Sequence, residues 1–376
     1  MAERFPAVTL TGPRQSGKST LCRMAFPAHA YANLESPDVR AFAVGDPRGF
    51  LAQYPKGAII DEIQRVPELT SYLQTLIDEA PRHGRWILTG SQSLATMESV
   101  SQSLAGRTAL LHLLPLARSE ARRFKRHPRT LDEALLTGGY PRIYDQGLEP
   151  SEWLGAYVRT YVERDVRLIS NIGDLAAFQR FVQLCASRTA QLLNLSALAL
   201  DGGISQPTAK AWLSVLETTF VVFRLQPYFT NIGKRLVKTP KLHFYDTGLV
   251  CWLLGIREPE QLRLHPLRGP IFETWVVSEI LKHRFNRGEH HGVYFYRDRQ
   301  GHEADVVVEA GGRRTVVEAK AGQTATAELV HAGRAVAEVL ERAGAVRRLV
   351  VYGGESGQER SDVAVVPWED LDQRAW

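Results

Sequence analysis

Cysteine is scarce in this chain, with three residues, Cys22, Cys185 and Cys251, among 376. An odd number so widely scattered excludes a disulfide framework and a thiolate zinc cluster, and three reduced core residues are expected instead. Long apolar runs are missing as well. None reaches the roughly 18 to 20 residues of a membrane-spanning helix, and the N-terminus lacks a signal-peptide pattern; a cytoplasmic location without a membrane partner is therefore expected. Nor is either charge in large excess. Lys and Arg total 46 against 41 Asp and Glu, a net +5 that permits a polyanionic partner without requiring one. What remains is an ordinary globular composition, 44% hydrophobic and 23% charged, long enough for two or three domains with their own cores.

The most informative stretch is Thr11 to Thr20, TGPRQSGKST. Gly12, four residues, then Gly17, Lys18 and Ser19 fit the phosphate-loop spacing G-x-x-x-x-G-K-S/T. An apolar run, Ala7 to Leu10, precedes it as a buried strand would, and Ser19 to Phe26 has helical character. Such a loop wraps backbone N–H groups around phosphates at a helix N-terminus, where the helix dipole favours negative charge. Gly12, Pro13, Arg14, Gln15, Ser16, Gly17, Lys18, Ser19 and Thr20 are thus the candidate nucleotide-binding residues, Lys18 reaching the outer phosphates and Ser19 ligating Mg²⁺. A second motif, Ala58-Ile59-Ile60-Asp61-Glu62, fits a Walker B strand. Asp61 would share the Mg²⁺ with Ser19, and Glu62 would polarise the attacking water.

Strands are expected at Val8–Thr11, His29–Leu34, Ala58–Asp61, Arg85–Thr89 and Ala109–Leu114, alternating with amphipathic segments such as Glu68 to Glu79. That alternation predicts a parallel sheet covered on both faces, with ligands at the carboxyl ends of its strands. The run Trp86 to Ser91 resembles the sensor strand of AAA+ ATPases, with Thr89 and Ser91 as candidates beside the γ-phosphate. Gly138-Gly139-Tyr140-Pro141-Arg142 resembles the Gly-x-Pro element of signalling-type ATPases and reads equally as a turn. Arg107 is a candidate arginine finger toward a neighbouring subunit, or simply a solvated arginine.

Taken together, GPRQSGKST, NLESPD, IIDEIQRVPEL, ILTGSQ, SLAGR, LLPL and GGYPR resemble the bacterial and archaeal AAA family of P-loop ATP-binding proteins with a C-terminal DUF4143-type domain. Relatives carry a segment before the first strand, whereas this sequence begins almost on it; either base recognition is weaker here or the recorded start is late.

In the middle of the chain, Arg118, Arg122, Arg123, Lys125, Arg126 and His127 form a basic run, a patch by composition of the kind that is usually a solvated helix face, and Trp153, Tyr157 and Tyr161 an aromatic stripe suited to packing. Leu195–Leu200 and Ser205–Leu216 read as two helices about a sharp turn, with Ser205 as cap, Pro207 in the first turn and a strand at Thr219–Leu225. The layout suits a winged helix-turn-helix. From Thr218 to Tyr245 no acid occurs, while Arg224, Lys234, Arg235, Lys238 and Lys241 fall among aromatics, which suits a phosphate-tracking surface or a charged rim.

Near the C-terminus, Gly269–Phe285 reads as a helix that turns Glu273 and Glu279 toward its apolar side. A carboxylate aimed at a core needs a partner or a metal. Strands at Glu303–Glu309 and Arg314–Lys320 flank Gly311-Gly312, a two-residue hairpin signal. Counting outward, Asp305 faces Glu318 and Glu303 faces Lys320, which gathers Asp305, Glu318 and Lys320 on one face. Paired carboxylates call for a bridging cation, and oxygen ligands suit Mg²⁺ or Mn²⁺. The order of a helical Glu, an Asp strand, Glu318-Ala319-Lys320, a helix at Ala327–Ala343 and a strand at Arg348–Tyr352 resembles PD-(D/E)xK nucleases. That resemblance implies Glu273 (or Glu279), Asp305 and Glu318 as metal ligands and Lys320 as a catalytic group.

The expected fold class is α/β: a P-loop, AAA+-like (ASCE) parallel-sheet domain at 1–145, a helical and winged-helix-like region at 146–265, and a PD-(D/E)xK-like domain at 266–376. The expected function is an Mg²⁺-dependent ATPase coupled to a DNA-binding, DNA-cleaving C-terminal domain; the alternative is an ATP-dependent switch or DNA-binding protein with an inactive nuclease scaffold. ATP and Mg²⁺ are the expected cofactors, with Mn²⁺ as an alternative at the C-terminal site, and DNA and a homo-oligomer are the expected partners.

Overall fold

The computed structural model describes residues 1–91, 103–165, 173–229, 239–342 and 344–376. The chain divides into two compact units. One comprises Met1–Pro115 with Thr218–Phe220 and Phe285–Gly288, and the other Leu116–Glu217, Val221–Arg284 and Glu289–Trp376. The packing boundary thus falls at Pro115, ahead of the expected 145, because Gly139 N–H donates to Asp246 deep in the second unit.

In the first unit, β1 (Ala7–Gly12), β2 (Ala30–Asn33), β3 (Ala58–Asp61), β4 (Trp86–Ser91) and β5 (Thr108–His112) form a sheet of order β2-β3-β4-β1-β5, parallel throughout. β1 and β3 are buried at every position, which is why they read as unbroken apolar runs rather than alternating ones. Val8, Leu10, Ile59 and Ile87 pack with Cys22 of the helix Lys18–Ala25 on one face. On the other, Ala7, Ile60, Trp86 and Leu88 meet Leu69, Leu73 and Ile77 of the helix Leu69–Glu79. A sheet with all strands parallel delivers Gly12, Asp61 and Ser91 to the same edge.

In the second unit, β6 (Gln191–Leu192), β7 (Val222–Leu225) and β8 (Lys241–Phe244) form an antiparallel sheet of order β6-β8-β7. The helices Leu195–Gly202 and Gln206–Thr218 precede β7, and the Ser205 hydroxyl accepts from Thr208 N–H to cap the second. A six-stranded sheet is built from β9 (Val293–Arg297), β10 (Glu303–Ala310), β11 (Arg313–Lys320), β12 (Val346–Tyr352), β13 (Gln358–Glu359) and β14 (Ala364–Pro367). Its order is β13-β14-β12-β11-β10-β9, with β11, β12 and β14 parallel to one another. The β10–β11 hairpin turns on Gly311 and Gly312 at φ 54° and 76°, and Ala310 pairs with Arg313. Two successive left-handed residues are what a two-residue hairpin turn requires.

Three sequence readings change. The helix expected at Ala327–Ala343 is two, Ala327–His331 and Arg334–Glu341, separated at Gly333, whose φ of 72° is left-handed and where a Cβ would stand 3.2 Å from Glu318. The basic run is not simply solvated: Arg118 pairs with Glu369 at 2.8 Å and lies over Trp368. Of the basic residues proposed to track phosphates, Arg224 pairs with Glu217, Lys241 is buried, and Lys234, Arg235 and Lys238 lie outside the described residues. The aromatic stripe packs as expected, Trp153 stacking on Tyr157 with Tyr140 and Tyr161 alongside. The three cysteines are buried and unpaired. No described helix is long and apolar enough to cross a membrane.

Candidate functional sites

The loop between β1 and the helix Lys18–Ala25 is held by backbone geometry. A Cβ on Gly12 would lie 2.1 Å from the Leu113 carbonyl, and Gly17, at φ 92°, caps the helix in a left-handed conformation. Only glycine meets both demands without displacing backbone. Gln15 takes a left-handed φ of 64° without being glycine, a strained setting typical of binding loops. Pro13 is buried, Arg14 half-buried, and Gln15 and Thr20 exposed.

Lys18, 6% exposed, donates to the Gly12 carbonyl at 3.1 Å and the Pro13 carbonyl at 2.7 Å. Burial lowers its pKa to about 8, although Glu62 and Asp61 pull it back up. The Ser16 hydroxyl, also in the loop, is buried with no hydrogen-bond partner among the described residues. An orphaned hydroxyl beside a folded-back ammonium fits a loop shaped for an anion.

Asp61 ends β3, 4% exposed. Both carboxylate oxygens accept hydroxyl protons, Oδ1 from Thr89 on β4 and Oδ2 from Tyr31 on β2 at 2.5 Å. The Ser19 side chain lies close to the same phenol. Glu62 follows in a left-handed conformation, φ 59° and ψ 46°, and accepts from the Gln64 side chain. Burial raises its pKa, with Lys18 opposing. Lys18, Ser19, Asp61, Glu62 and Thr89 therefore converge at the carboxyl edge of the sheet. Sequence reasoning missed Tyr31. Its only signal was an aromatic residue on the strand beside the Walker B strand.

The Ser91 side chain lies outside the described residues. Arg107 precedes β5 at the amino edge of the sheet, its carbonyl accepting from Ala7 N–H, and its guanidinium grips Asp78 through two bonds of 2.6 and 2.8 Å. Within this subunit the candidate finger is thus committed to an ion pair. The Gly138-Gly139 step is likewise committed to Asp246, since a Cβ on Gly138 would collide with that carboxylate.

The second centre lies on β10 and β11. The pairing runs to Val306 with Val317, and beyond it Asp305 Oδ2 accepts Ala319 N–H at 2.8 Å. Lys320 Nζ stands 3.0 Å from Glu318 Oε2 and 4.0 Å from Asp305 Oδ2. The hairpin count therefore gathers Asp305, Glu318 and Lys320 as expected. Burial and the charge of Asp305 push the Glu318 pKa up to about 7, and Lys320 opposes the shift. Glu318 Oε1 is buried without a partner among the described residues.

The helix Arg268–Phe285 contributes Glu273, and with it a residue the sequence reading had placed elsewhere. Lys241 of β8, its side chain 4% exposed, stands 2.8 Å from both Glu273 Oε1 and Glu303 Oε1. Burial alone would lower its pKa, but Glu273 and Asp305 outweigh burial and hold it raised. Glu273 is pushed up to about 8 by burial and by Asp305. Glu303 was expected to face Lys320. A register shift between Ala304 and Val307 turns it instead toward Lys241 and Arg297. Glu279, the alternative to Glu273, is buried elsewhere, paired with Lys282 at 2.8 Å and accepting Arg118 N–H. Among the described residues no three His, Cys, Asp or Glu side chains are gathered closely enough to hold a metal ion. The expected set of Glu273, Asp305 and Glu318 is instead balanced by two ammonium groups, those of Lys241 and Lys320. Lys241 gave no local signal, because its acids lie more than thirty residues downstream.

Three family profiles match the chain: an AAA domain at residues 4–121, a domain of unknown function (DUF8612) at 128–260 and another (DUF4143) at 268–371. Among solved structures, a Walker-type ATPase of Pyrococcus abyssi is similar, with a TM-score of 0.44 and 16% identity over 67% of this chain and 91% of that one. Among curated proteins, uncharacterized proteins of Mycobacterium tuberculosis (strain H37Rv) and Mycobacterium bovis are each 31% identical over 372 residues, which is 98% of this chain and 81% of theirs. The chain belongs to the family of these two mycobacterial proteins, with an AAA domain of the P-loop ATPase type at its N-terminus and DUF4143 at its C-terminus.

Proposed function

We propose that the protein is an Mg²⁺-dependent ATPase whose nucleotide cycle governs a nucleic-acid-handling C-terminal region. The observation that supports this reading most is the convergence of Lys18, Ser19, Asp61, Glu62 and Thr89 around a loop with an orphaned Ser16 hydroxyl. In this reading the amides from Gly12 to Thr20 cradle the phosphates, and Lys18 exchanges two loop carbonyls for phosphate oxygens. Ser19 and Asp61 would hold Mg²⁺, which supplies charge neutralisation on the outer phosphates. Glu62 orients the attacking water, its raised pKa suiting it to accept a proton. Thr89 positions Asp61. Arg107 is assigned to fold maintenance through Asp78 rather than to a neighbouring subunit, and self-association is proposed only if that pair opens. The functional regions proposed are 1–145, 146–265 and 266–376, although the segment from Leu116 onward packs in the second unit.

For the C-terminal region the leading reading is a nuclease-like DNA-cutting centre in which Asp305 and Glu318 take Mg²⁺ or Mn²⁺, Glu273 supports them, and Lys320 stabilises charge developing on a phosphate. The orphaned Glu318 Oε1 favours it. The helices on either side of Ser205 are proposed as the DNA-binding element. One specific observation favours the second reading, a switch with a non-cutting scaffold: Lys241 already neutralises Glu273. Purified protein incubated with DNA and RNA of several topologies, with and without ATP and Mg²⁺ or Mn²⁺, separates the readings. Cleavage lost in Glu318→Ala with ATP hydrolysis retained supports the first, and no cleavage by the parent protein supports the second. Hydrolysis that survives Lys18→Ala contradicts the ATPase assignment.

A further inference from the structure

The hydroxyl of Tyr31 sits where two of the nucleotide-site residues meet. It donates to Asp61 Oδ2 at 2.5 Å, with the Ser19 side chain close by. Thr89 donates to the other Asp61 oxygen, so each carboxylate oxygen already accepts a hydroxyl proton. A phenol thus stands on one of the oxygens expected to take the cation. The tie is also releasable. Tyr31 lies on the edge strand β2, 38% exposed, with the Arg23 guanidinium 5.2 Å from its ring centroid. Beside it runs an open groove of about 470 Å³ lined by Arg23, Met24, Phe26, Pro27 and His29 together with the ring itself.

We propose that Tyr31 is a plug on the metal position, which ties up Asp61 beside Ser19 in the nucleotide-free protein and swings into the neighbouring groove when Mg²⁺·nucleotide enters. This inference rests on the nucleotide-binding reading. Its physical content is a competition: the same Asp61 oxygen serves either the phenol or the cation, so breaking the tie subtracts from the affinity for the metal complex. Nucleotide without metal needs the loop and Lys18 but leaves the tie intact. The plug therefore sets how strongly Mg²⁺ strengthens nucleotide binding.

The test is a titration of the full-length protein with a fluorescent ATP analogue, in Mg²⁺ and in EDTA, for the wild type, Tyr31→Phe, Tyr31→Leu and Lys18→Ala. Loss of the phenol's hydrogen bond in Tyr31→Phe is expected to raise the ratio of the EDTA Kd to the Mg²⁺ Kd by about threefold to tenfold, through the Mg²⁺ arm alone. Tyr31→Leu, which removes ring and hydroxyl together, should move the ratio in the same direction. A ratio unmoved or lowered in both variants, with wild-type binding dependent on Lys18, overturns the plug and leaves the nucleotide site standing. Wild-type binding that is indifferent to Lys18→Ala removes the nucleotide site and the plug together.

Discussion

The two charged centres of this molecule solve one problem in opposite ways. In the first unit, Lys18 and the acids Asp61 and Glu62 are brought together by two short contiguous motifs at the ends of parallel strands, and the hydroxyls of Tyr31 and Thr89 soften the charge on Asp61. In the second, four acids (Glu273, Glu303, Asp305 and Glu318) meet two lysines contributed by separate elements, and the ammonium groups do the neutralising. The first centre keeps an unfilled demand for an anion, because its lysine rests on carbonyls. The second has met much of its own demand for a cation. A lysine within reach of buried carboxylates supplies part of the positive charge that a metal would otherwise bring.

The sharpest way to break the comparison is Lys18→Ala, which should lower ATP hydrolysis by about a thousandfold, measured as phosphate release. A hydrolysis rate within about tenfold of the wild type would put the first centre on the same footing as the second. Next in size is Lys241→Ala. It leaves Glu273 and Glu303 without their buried partner and should cost about 3 kcal/mol in urea unfolding. A loss under about 1 kcal/mol would mean that the acids do not depend on Lys241.

A pH series sharpens the same point. Glu273 and Glu318 are raised to about 8 and about 7, whereas the unfolded chain titrates such acids near 4.5. Between those values the folded state holds more protons than the unfolded one, so stability is greatest below about pH 4.5 as far as these two groups act, and falls as pH rises toward 8. Glu318→Gln should flatten that fall, and a millimolar divalent cation should do so in the wild type only if Asp305 and Glu318 take it. A slope unchanged in Glu318→Gln would show that the carboxylate is not charge-frustrated. The smallest expected effect is that of Ser205→Ala, about 1 kcal/mol from loss of the helix cap, which tests the middle region rather than either centre.

How much of this was legible in advance follows from the range of each interaction. The P-loop and the Walker B strand are local, and so are β1 and β3, whose largely apolar runs mark burial on both faces. The hairpin register was legible because Gly311-Gly312 fixes a count that carries outward without error to Val306 and Val317. It failed three residues further on at Glu303, where a bulge that no residue type announces shifts the strand. Lys241 was misjudged for a related reason: a lysine among aromatics looks like surface until the distant acids that bury it are in place. Gly333 could have warned that the last long helix was broken, since a left-handed glycine ends a helix more often than it continues one. Tyr31 left only the faint signal of an aromatic residue on a neighbouring strand, because its partner Asp61 lies 30 residues away in the chain.

The account depends most on the first centre being a nucleotide site. Calorimetric titration of the full-length protein with Mg²⁺·ATP tests that directly. The wild type should bind at one site per chain and Lys18→Ala more than tenfold more weakly, whereas equal heats from the two proteins, or none from either, would contradict it.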